Sequence, residues 1–407
     1  MGTSSRSFLK LGDDMPGTSS AIGSQDAADR LGYTRQHVRR LIRAGHLRGR
    51  KLGRDWFVDP DSVGAYLASL ENHELPLDPR TERGSAKAST NTHTESSVRD
   101  IMSGGEASLE RKRLAKRLAW DNGGRPEFTT HTIRTGDARS MAEIKPGSIH
   151  LVVTSPPYFD LVEYEAAQRT SGQIGNLGDY ESFLAELTKV WKRCFDALVP
   201  GGRLCVVVGD VCLSRRSVGR HHVLPLHADI SLQCRQLGFD YLTPILWSKI
   251  ANMSTEVGGG SRFLGKPYEP NAIIKNDTEY VLLFRKPGSY RKPTHMQRAL
   301  SLLDAEDHRK WFRSAWTDIR GESRKAGHPA PFPVEIPFRL INMFSFVGDT
   351  VLDPFWGTGT TTVAALRATR SSAGYEIERA YLEIGRDRLA QVDNSVVPPR
   401  IDFVGLS

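Results

Sequence analysis

The sequence predicts an α/β protein, a largely parallel sheet preceded by a small helix-turn-helix domain. Three observations carry that expectation. From Phe128 to about Gln391, runs rich in Val, Leu and Ile alternate with helix-like runs, the pattern of strands buried on both faces. Two of those strands run straight into loops of Ser, Pro, Thr and Gly, where ligands gather in open α/β sheets. Ahead of them, the stretch from Ser24 to Leu70 carries two short helical periods, a basic hairpin and a third helix.

Size and composition fit this division. A chain of 407 residues exceeds the usual single-domain size, so one large domain with a small one is expected. Hydrophobic residues make up 39%, enough for a packed core, and the net charge of +8 favours an anionic partner. Cys194, Cys205, Cys212 and Cys234 form no close pair of metal-site spacing and read as core packing. The start MGTSSRSFLKLGDD lacks the apolar core of a signal peptide, and no apolar run is long enough to span a bilayer. A cytoplasmic, reduced protein with no membrane partner is therefore expected.

Taken in order, residues 1–20 are a Gly/Ser/Thr-rich leader, and residues 21–70 form the small domain. Ser24 is placed to cap a helix bearing Ala27, Ala28 and Leu31, and Gly32 to end it. Thr34 is placed to cap a second helix with Val38, Leu41 and Ile42 facing inward. The Gly-punctuated hairpin LRGRKLGRDWFV follows, then a helix opened by Asp59-Pro60. Helix, turn, helix and wing is the plan of a winged helix-turn-helix, and the stretch resembles the DNA-binding domains of excisionases and MerR regulators. Arg35, Arg39, Arg40 and Arg43 on the second helix, with Arg50, Lys51 and Arg54 on the wing, are the candidate contacts to double-stranded DNA. Residues 30–54 contain no acid to offset them. A protein-interaction domain with a solvated basic face is the competing reading. Residues 71–107, poor in apolar side chains, are expected to be a linker. The large domain is expected over 108–397, opening on the basic helix SLERKRLAKRLAW, with 398–407 as a tail.

Two constellations carry chemistry. In IHLVVTSPPYFDLVEY, a buried strand over Ile149–Val153 ends in Thr154-Ser155-Pro156-Pro157-Tyr158. Two prolines stiffen the turn and remove two N–H donors, which leaves carbonyls free to accept. A hydroxyl, projecting carbonyls and an aromatic ring suit a planar group that bears an NH2. The second constellation is VGDTVLDPFWGTGTTTVAALRATRSSAGYEIE. Here a strand leads to Asp353-Pro354-Phe355, a loop through Gly357, Gly359 and Thr360 opens a helix, and a second strand ends at Glu376. Glycines allow close backbone approach, and an acid roughly twenty residues on suits two ribose hydroxyls. G-x-G alone also fits NAD, but the loop lacks the third glycine of the pyrophosphate motif, and Asp353 beside it suits a cationic amino-acid moiety.

TSPPY followed far downstream by DPFWGTGTT resembles the amino-methyltransferases of DNA, in the β arrangement where the catalytic motif precedes the cofactor motif. TGDA, GQIGNLGDYESFLAEL, LVPGGRLCVVVGDV, GKPYEPN, TEYVLLFRK and HPAPFPVEIPFRLI match in the same order, so the resemblance spans roughly residues 128–391 and leaves out the first 120. It implies a Rossmann-like S-adenosylmethionine-dependent methyltransferase fold with permuted motif order. It also implies that Asp353, Phe355, Gly357, Gly359 and Thr360 surround the methionine part of the cofactor while Glu376 holds the ribose. Asp137 would then meet the adenine amino group, and His328 to Phe332 would close the methionine side. Ser-Pro-Pro-Tyr is the form of relatives that modify the N4 amino group of cytosine, with Ser155 and the Pro156 carbonyl accepting the amino hydrogens and Tyr158 stacking on a flipped base. Adenine-N6 relatives more often carry Asp-Pro-Pro-Tyr. A non-enzymatic DNA-binding regulator is the second alternative. Target recognition is expected within 213–326, where arginines interrupt the sheet pattern. His221-His222 lacks a third ligand, so no metal is expected. A cognate restriction endonuclease, the oligomeric state and the target sequence are left open.

Overall fold

The computed structural model describes residues 21–31, 38–39, 41–42, 45–52, 55–71, 89–103, 109–121, 123–157, 159, 172–213, 218–249, 270, 274, 276–321, 332–392 and 397–406. The chain divides into two compact units, Met1–Asn122 and Gly123–Ser407.

In the first unit, α1 (Ser24–Leu31) precedes a three-stranded sheet of order β1-β3-β2, made from β1 (Ile22–Gly23), β2 (Gly49–Leu52) and β3 (Asp55–Val58). Helix α2 (Pro60–Glu71) follows the hairpin. Ala27, Ala28 and Leu31 bury against Val38, Leu41, Leu47, Val58 and Val63, the small core that the helical spacing implied. Ser24 opens α1 from within it, rather than preceding it as a cap. Asp59, almost fully buried, accepts from the Asp61 N–H and pairs with Arg48, which ties the wing to the start of α2. Arg50 and Lys51 are exposed on β2, whereas Arg39 is half-buried. Arg35, Arg40, Arg43 and Arg54, with Gly32 and Thr34, lie outside the described residues. The expected linker contains a helix, α3 (Ser89–Ser103), which packs on α4 (Leu109–Asp121) through Val98, Ile101, Ala115 and Ala119. The basic helix expected to open the large domain therefore belongs to the first unit. Paired with a neighbour, α3 buries enough apolar surface to order a stretch that composition alone marks as loose.

The second unit is built on a nine-stranded sheet of order β11-β9-β10-β6-β5-β12-β13-β4-β14. Its strands are β4 (Thr129–Thr135), β5 (Ile149–Thr154), β6 (Leu198–Val208), β9 (Asp240–Ser248), β10 (Thr278–Arg285), β11 (Ala315–Trp316), β12 (Thr350–Asp353), β13 (Ser371–Glu376) and β14 (Pro399–Val404). The short strands β7 (Val211–Leu213) and β8 (His222–Leu224) form a separate ribbon. Pairing is parallel except for β10, which runs antiparallel to β6 and β9. The expected tail thus supplies an edge strand, β14, beside β4. Within the range 213–326, where arginines interrupt the sheet pattern, the chain folds in part as α7 (His295–Leu300), α8 (Ala305–Trp311) and β11.

Alternation explains why these strands read as continuous apolar runs. Ile149 and Val152 of β5, Leu204, Val206 and Val208 of β6, and Leu282 and Phe284 of β10 face one layer. Leu151, Val153, Cys205, Val207, Val281 and Leu283 face the other. The first layer is α5 (Tyr180–Ala197), whose Phe183, Leu187, Val190, Trp191 and Cys194 fall on one helical face, with α6 (Leu226–Gln236). The second is α9 (Glu335–Phe344) with α10 (Thr360–Arg367). Helix α11 (Arg379–Ala390) follows β13. Cys194, Cys205 and Cys234 are buried as expected, and Cys212 is half-buried. Among the described residues no helix is long and apolar enough to cross a membrane, and no His/Cys/Asp/Glu group could hold a metal.

Candidate active site

The sheet places β5 directly beside β12, pairing Leu151 with Val351 and Val152 with Leu352. The two constellations, far apart in sequence, therefore open at the carboxyl ends of neighbouring strands. A cleft forms there, with about 960 Å³ of empty space including its open mouth. Ser155, Pro156 and Pro157 line it from β5, Phe355, Gly357 and Thr360 from the β12 loop, Glu376 from β13, Asp137 from β4, and Phe332 from the segment before α9. Tyr158 and His328 lie outside the described residues.

Neither Asp353 nor Gly359 is among the described residues that line the cleft. The Asp353 carboxylate is buried and saturated. Thr154 Oγ1 donates to it at 2.7 Å, Thr361 Oγ1 at 2.6 Å and the Phe355 N–H at 3.1 Å. Burial pushes its pKa up to about 6 against the pull of those donors. Asp353 thus braces the end of β5 against the β12 loop and the start of α10. Gly359 adopts φ +81°, and a Cβ there would stand 2.7 Å from Trp356 Cζ2. Equivalent atoms on Gly374 and Gly385 would approach the same indole to 2.3 and 2.4 Å. These three glycines form the slot that seats Trp356, whose Nε1 donates to Thr362 Oγ1 at 2.8 Å. Gly357, at φ +55°, is the glycine that borders the cleft.

Glu376 sits at the end of β13 with its two oxygens turned to different donors. Oε2 accepts from the Gly357 N–H at 2.7 Å and Oε1 from the Glu378 N–H at 2.8 Å. Burial raises its pKa to about 7, the two N–H groups acting in the opposite sense. Each oxygen keeps a lone pair, so the carboxylate fits a vicinal diol. Asp137, just past the end of the neighbouring strand β4, also lines the cleft. Burial works to raise its pKa, but Arg139, which grips both oxygens and reaches Glu186, holds it below the usual carboxylate range. Lining residues that carried no nominated role in the sequence include Gln173 to Gly175, Tyr375, Glu378 and Tyr381. Gln173 donates to Glu378 across the mouth. The stretch GQIGN marks the first, but nothing local in the sequence sets Tyr381 apart from an ordinary helix residue.

Comparison with known proteins decides what this arrangement is. Residues 149–387, which contain both constellations, match the DNA methylase family model. The chain belongs to that family. Residues 23–70 of the methylase match a helix-turn-helix domain. Type II methyltransferase M.MjaI of Methanocaldococcus jannaschii is 39% identical over 290 residues, covering 64% of this chain and 91% of the relative. M.MthZI of Methanothermobacter thermautotrophicus is 34% identical, covering 67% and 81%. A protein of Thermus thermophilus, assigned as a DNA modification methylase and solved with S-adenosyl-L-methionine, is 47% identical with a TM-score of 0.54, covering 67% of this chain and 98% of its own. The methylase is an S-adenosylmethionine-dependent DNA methyltransferase of mixed α/β fold with an N-terminal helix-turn-helix domain. The cleft fits the cofactor, with a diol acceptor in Glu376, a close-approach glycine in Gly357, and the rings of Phe355, Phe332, Tyr375 and Tyr381 as apolar walls.

Proposed function

We propose that the methylase transfers its methyl group to the N4 amino group of cytosine in double-stranded DNA. The observation that carries this reading is Ser155, a neutral hydroxyl at the head of a Pro-Pro turn, on the wall of the cofactor cleft. Bound in that cleft, S-adenosylmethionine supplies an electrophilic sulfonium methyl. Glu376 is assigned to the ribose hydroxyls, Asp137 to the adenine side, and Phe355, Gly357, Thr360 and Phe332 to the walls, with His328 nearby in sequence. Ser155 and the Pro156 carbonyl accept the two amino hydrogens of the base, which draws its nitrogen toward tetrahedral geometry and frees the lone pair. Pro157 keeps that carbonyl fixed, since a prolyl ring restricts both its own φ and the residue before it. Tyr158 stacks on the extruded ring, because a paired base within a duplex is out of reach. Positioning of this kind, with charge-complementary acceptors already in place, accounts for rate enhancement without a covalent intermediate.

Double-stranded DNA is engaged as well through the helix-turn-helix unit. Arg39, Arg50 and Lys51, with Arg35, Arg40, Arg43 and Arg54 of the same segments, are assigned to phosphate and groove contacts. The test is chemical. DNA incubated with the methylase and labelled cofactor is digested to nucleosides, and the product is identified by mass. N4-methylcytosine supports the reading, and N6-methyladenine overturns it in favour of an adenine enzyme.

A further inference from the structure

The sheet order separates two sides of the catalytic strand. Among the described lining residues of the cofactor cleft, none comes from β6, β9 or β10. A cofactor held in that cleft would lie over β12, β13 and β4, which would leave an acceptor nucleotide the other side of β5, where the carboxyl ends of β6 and β9 meet the start of β10.

A polar and aromatic cluster stands at that edge. Strand β6 runs on into Gly209 and Asp210. The Asp210 carboxylate accepts from His227 Nδ1 at 2.6 Å and from the His227 N–H at 3.2 Å. The His227 imidazole lies flat on Tyr280, with ring centroids 3.9 Å apart and planes 6° from parallel. Tyr280 is paired with Val208 in the sheet, so the platform is anchored to the last residue of β6. Asn276 Nδ2 donates to the Asp210 carbonyl at 3.3 Å. Two residues beyond His227, in the first turn of α6, Asp229 accepts from Tyr180 Oη at 2.7 Å. Tyr180 in turn packs edge-on against Phe159 at 5.5 Å, one residue past the catalytic turn. The helix that carries His227 is therefore tied to the segment that carries Ser155.

A histidine held by a carboxylate on one nitrogen and a ring on one face has a single orientation, with its other nitrogen specified as a hydrogen-bonding group. Among the described residues His227 Nε2 has no partner. The side chain is 27% exposed, against 15% for Asp210. A pair needed only to fasten α6 to β6 would be complete with the Asp210 contacts. The stack also packs α6 against β10, but the open nitrogen adds nothing to that fastening.

We infer that His227, oriented by Asp210 and Tyr280, is a recognition residue for the extruded target nucleotide, its Nε2 forming a hydrogen bond to that nucleotide beside the catalytic turn. This rests on the DNA-methyltransferase reading but not on which base is modified. The experiment uses the full chain and a duplex containing the sequence that the wild-type methylase marks. Methyl groups transferred to that duplex are counted whatever base receives them, and product identity is determined separately. For His227→Ala, the expected result is a KM for DNA raised about tenfold, the loss of one neutral hydrogen bond. Cofactor affinity by calorimetry and the melting temperature are expected to stay at wild-type values. His227→Asn, which offers an amide at a similar reach, is expected to recover part of the loss. Tyr280→Leu, which removes the stack, is expected to raise the same KM. An unchanged KM in His227→Ala overturns the inference. So does a loss shared equally by cofactor affinity, melting temperature and KM, which would make the pair a structural fastening. Wild-type protein that yields N6-methyladenine refutes the cytosine reading alone and leaves this inference standing.

Discussion

Replacing Gly374 by alanine tests the Trp356 slot directly. The new Cβ would stand 2.3 Å from Trp356 Cδ1 and 2.8 Å from Cγ, whereas non-bonded carbons rest at about 3.5–4.0 Å. The indole would have to retreat by more than an ångström, and its exits are closed. Gly359 and Gly385 confine the far side of the ring, and Thr362 holds Nε1. Overpacking of this kind costs about 1–3 kcal/mol, which in a domain of this size lowers the melting temperature by roughly 2–5 °C. Trp356 lies between Phe355 and Gly357, both on the cleft wall, so cofactor affinity is expected to fall along with stability. Thermal unfolding and titration calorimetry read the two effects. The double variant Gly374→Ala with Trp356→Leu is expected to lose less than the sum of the single changes, because the smaller side chain removes the clash. Wild-type melting and affinity in Gly374→Ala would refute the slot, as would strict additivity in the double variant.

Asp353→Ala strips an acceptor from Thr154, Thr361 and the Phe355 N–H, and each buried group left unsatisfied costs about 1–3 kcal/mol. It is expected to melt well below Asp353→Asn, which keeps one acceptor oxygen, and equal melting of the two would remove the brace. The Glu376 carboxyl is raised to about 7, so the unliganded protein binds a proton there more tightly than the unfolded chain does. Its contribution to stability therefore declines as pH rises from the ordinary carboxylate value toward about 7 and is level above that. Cofactor binding through the ionised form runs the opposite way, with affinity climbing up to about pH 7. Calorimetry across that window checks the trend, and Glu376→Gln is expected to flatten it. A chain beginning at Gly123 is expected to bind cofactor normally and mark the same DNA sequence, with a shallower dependence of DNA affinity on salt once the arginines of the first unit are gone. A changed target sequence would show that this unit takes part in recognition.

What the sequence by itself determined is local. Backbone chemistry at Pro156-Pro157 and Gly357, apolar runs too continuous for one-sided strands, and the order of TSPPY before DPFWGTGTT were enough to place two loops at strand ends and to assign the family. Helical spacing likewise located the small core around Ala27 and Val38, and Ser155, Phe355, Gly357, Thr360 and Glu376 line one cleft. What only the tertiary structure decided is how each group is satisfied. Asp353 looks like a ligand carboxylate beside a glycine loop, but its partner Thr154 lies 199 residues away, and no local pattern announces a hydrogen bond across neighbouring parallel strands. Gly359, Gly374 and Gly385 read as turn and loop glycines until one indole occupies the space that all three leave empty. Residues 399–404 become a strand because β4 presents an open edge, and α3 becomes a helix because α4 covers its apolar side. A motif encodes the backbone shape that a few adjacent residues impose. Which charge is free to meet a ligand, and which is already spent on holding the fold, depends on groups that only folding brings together.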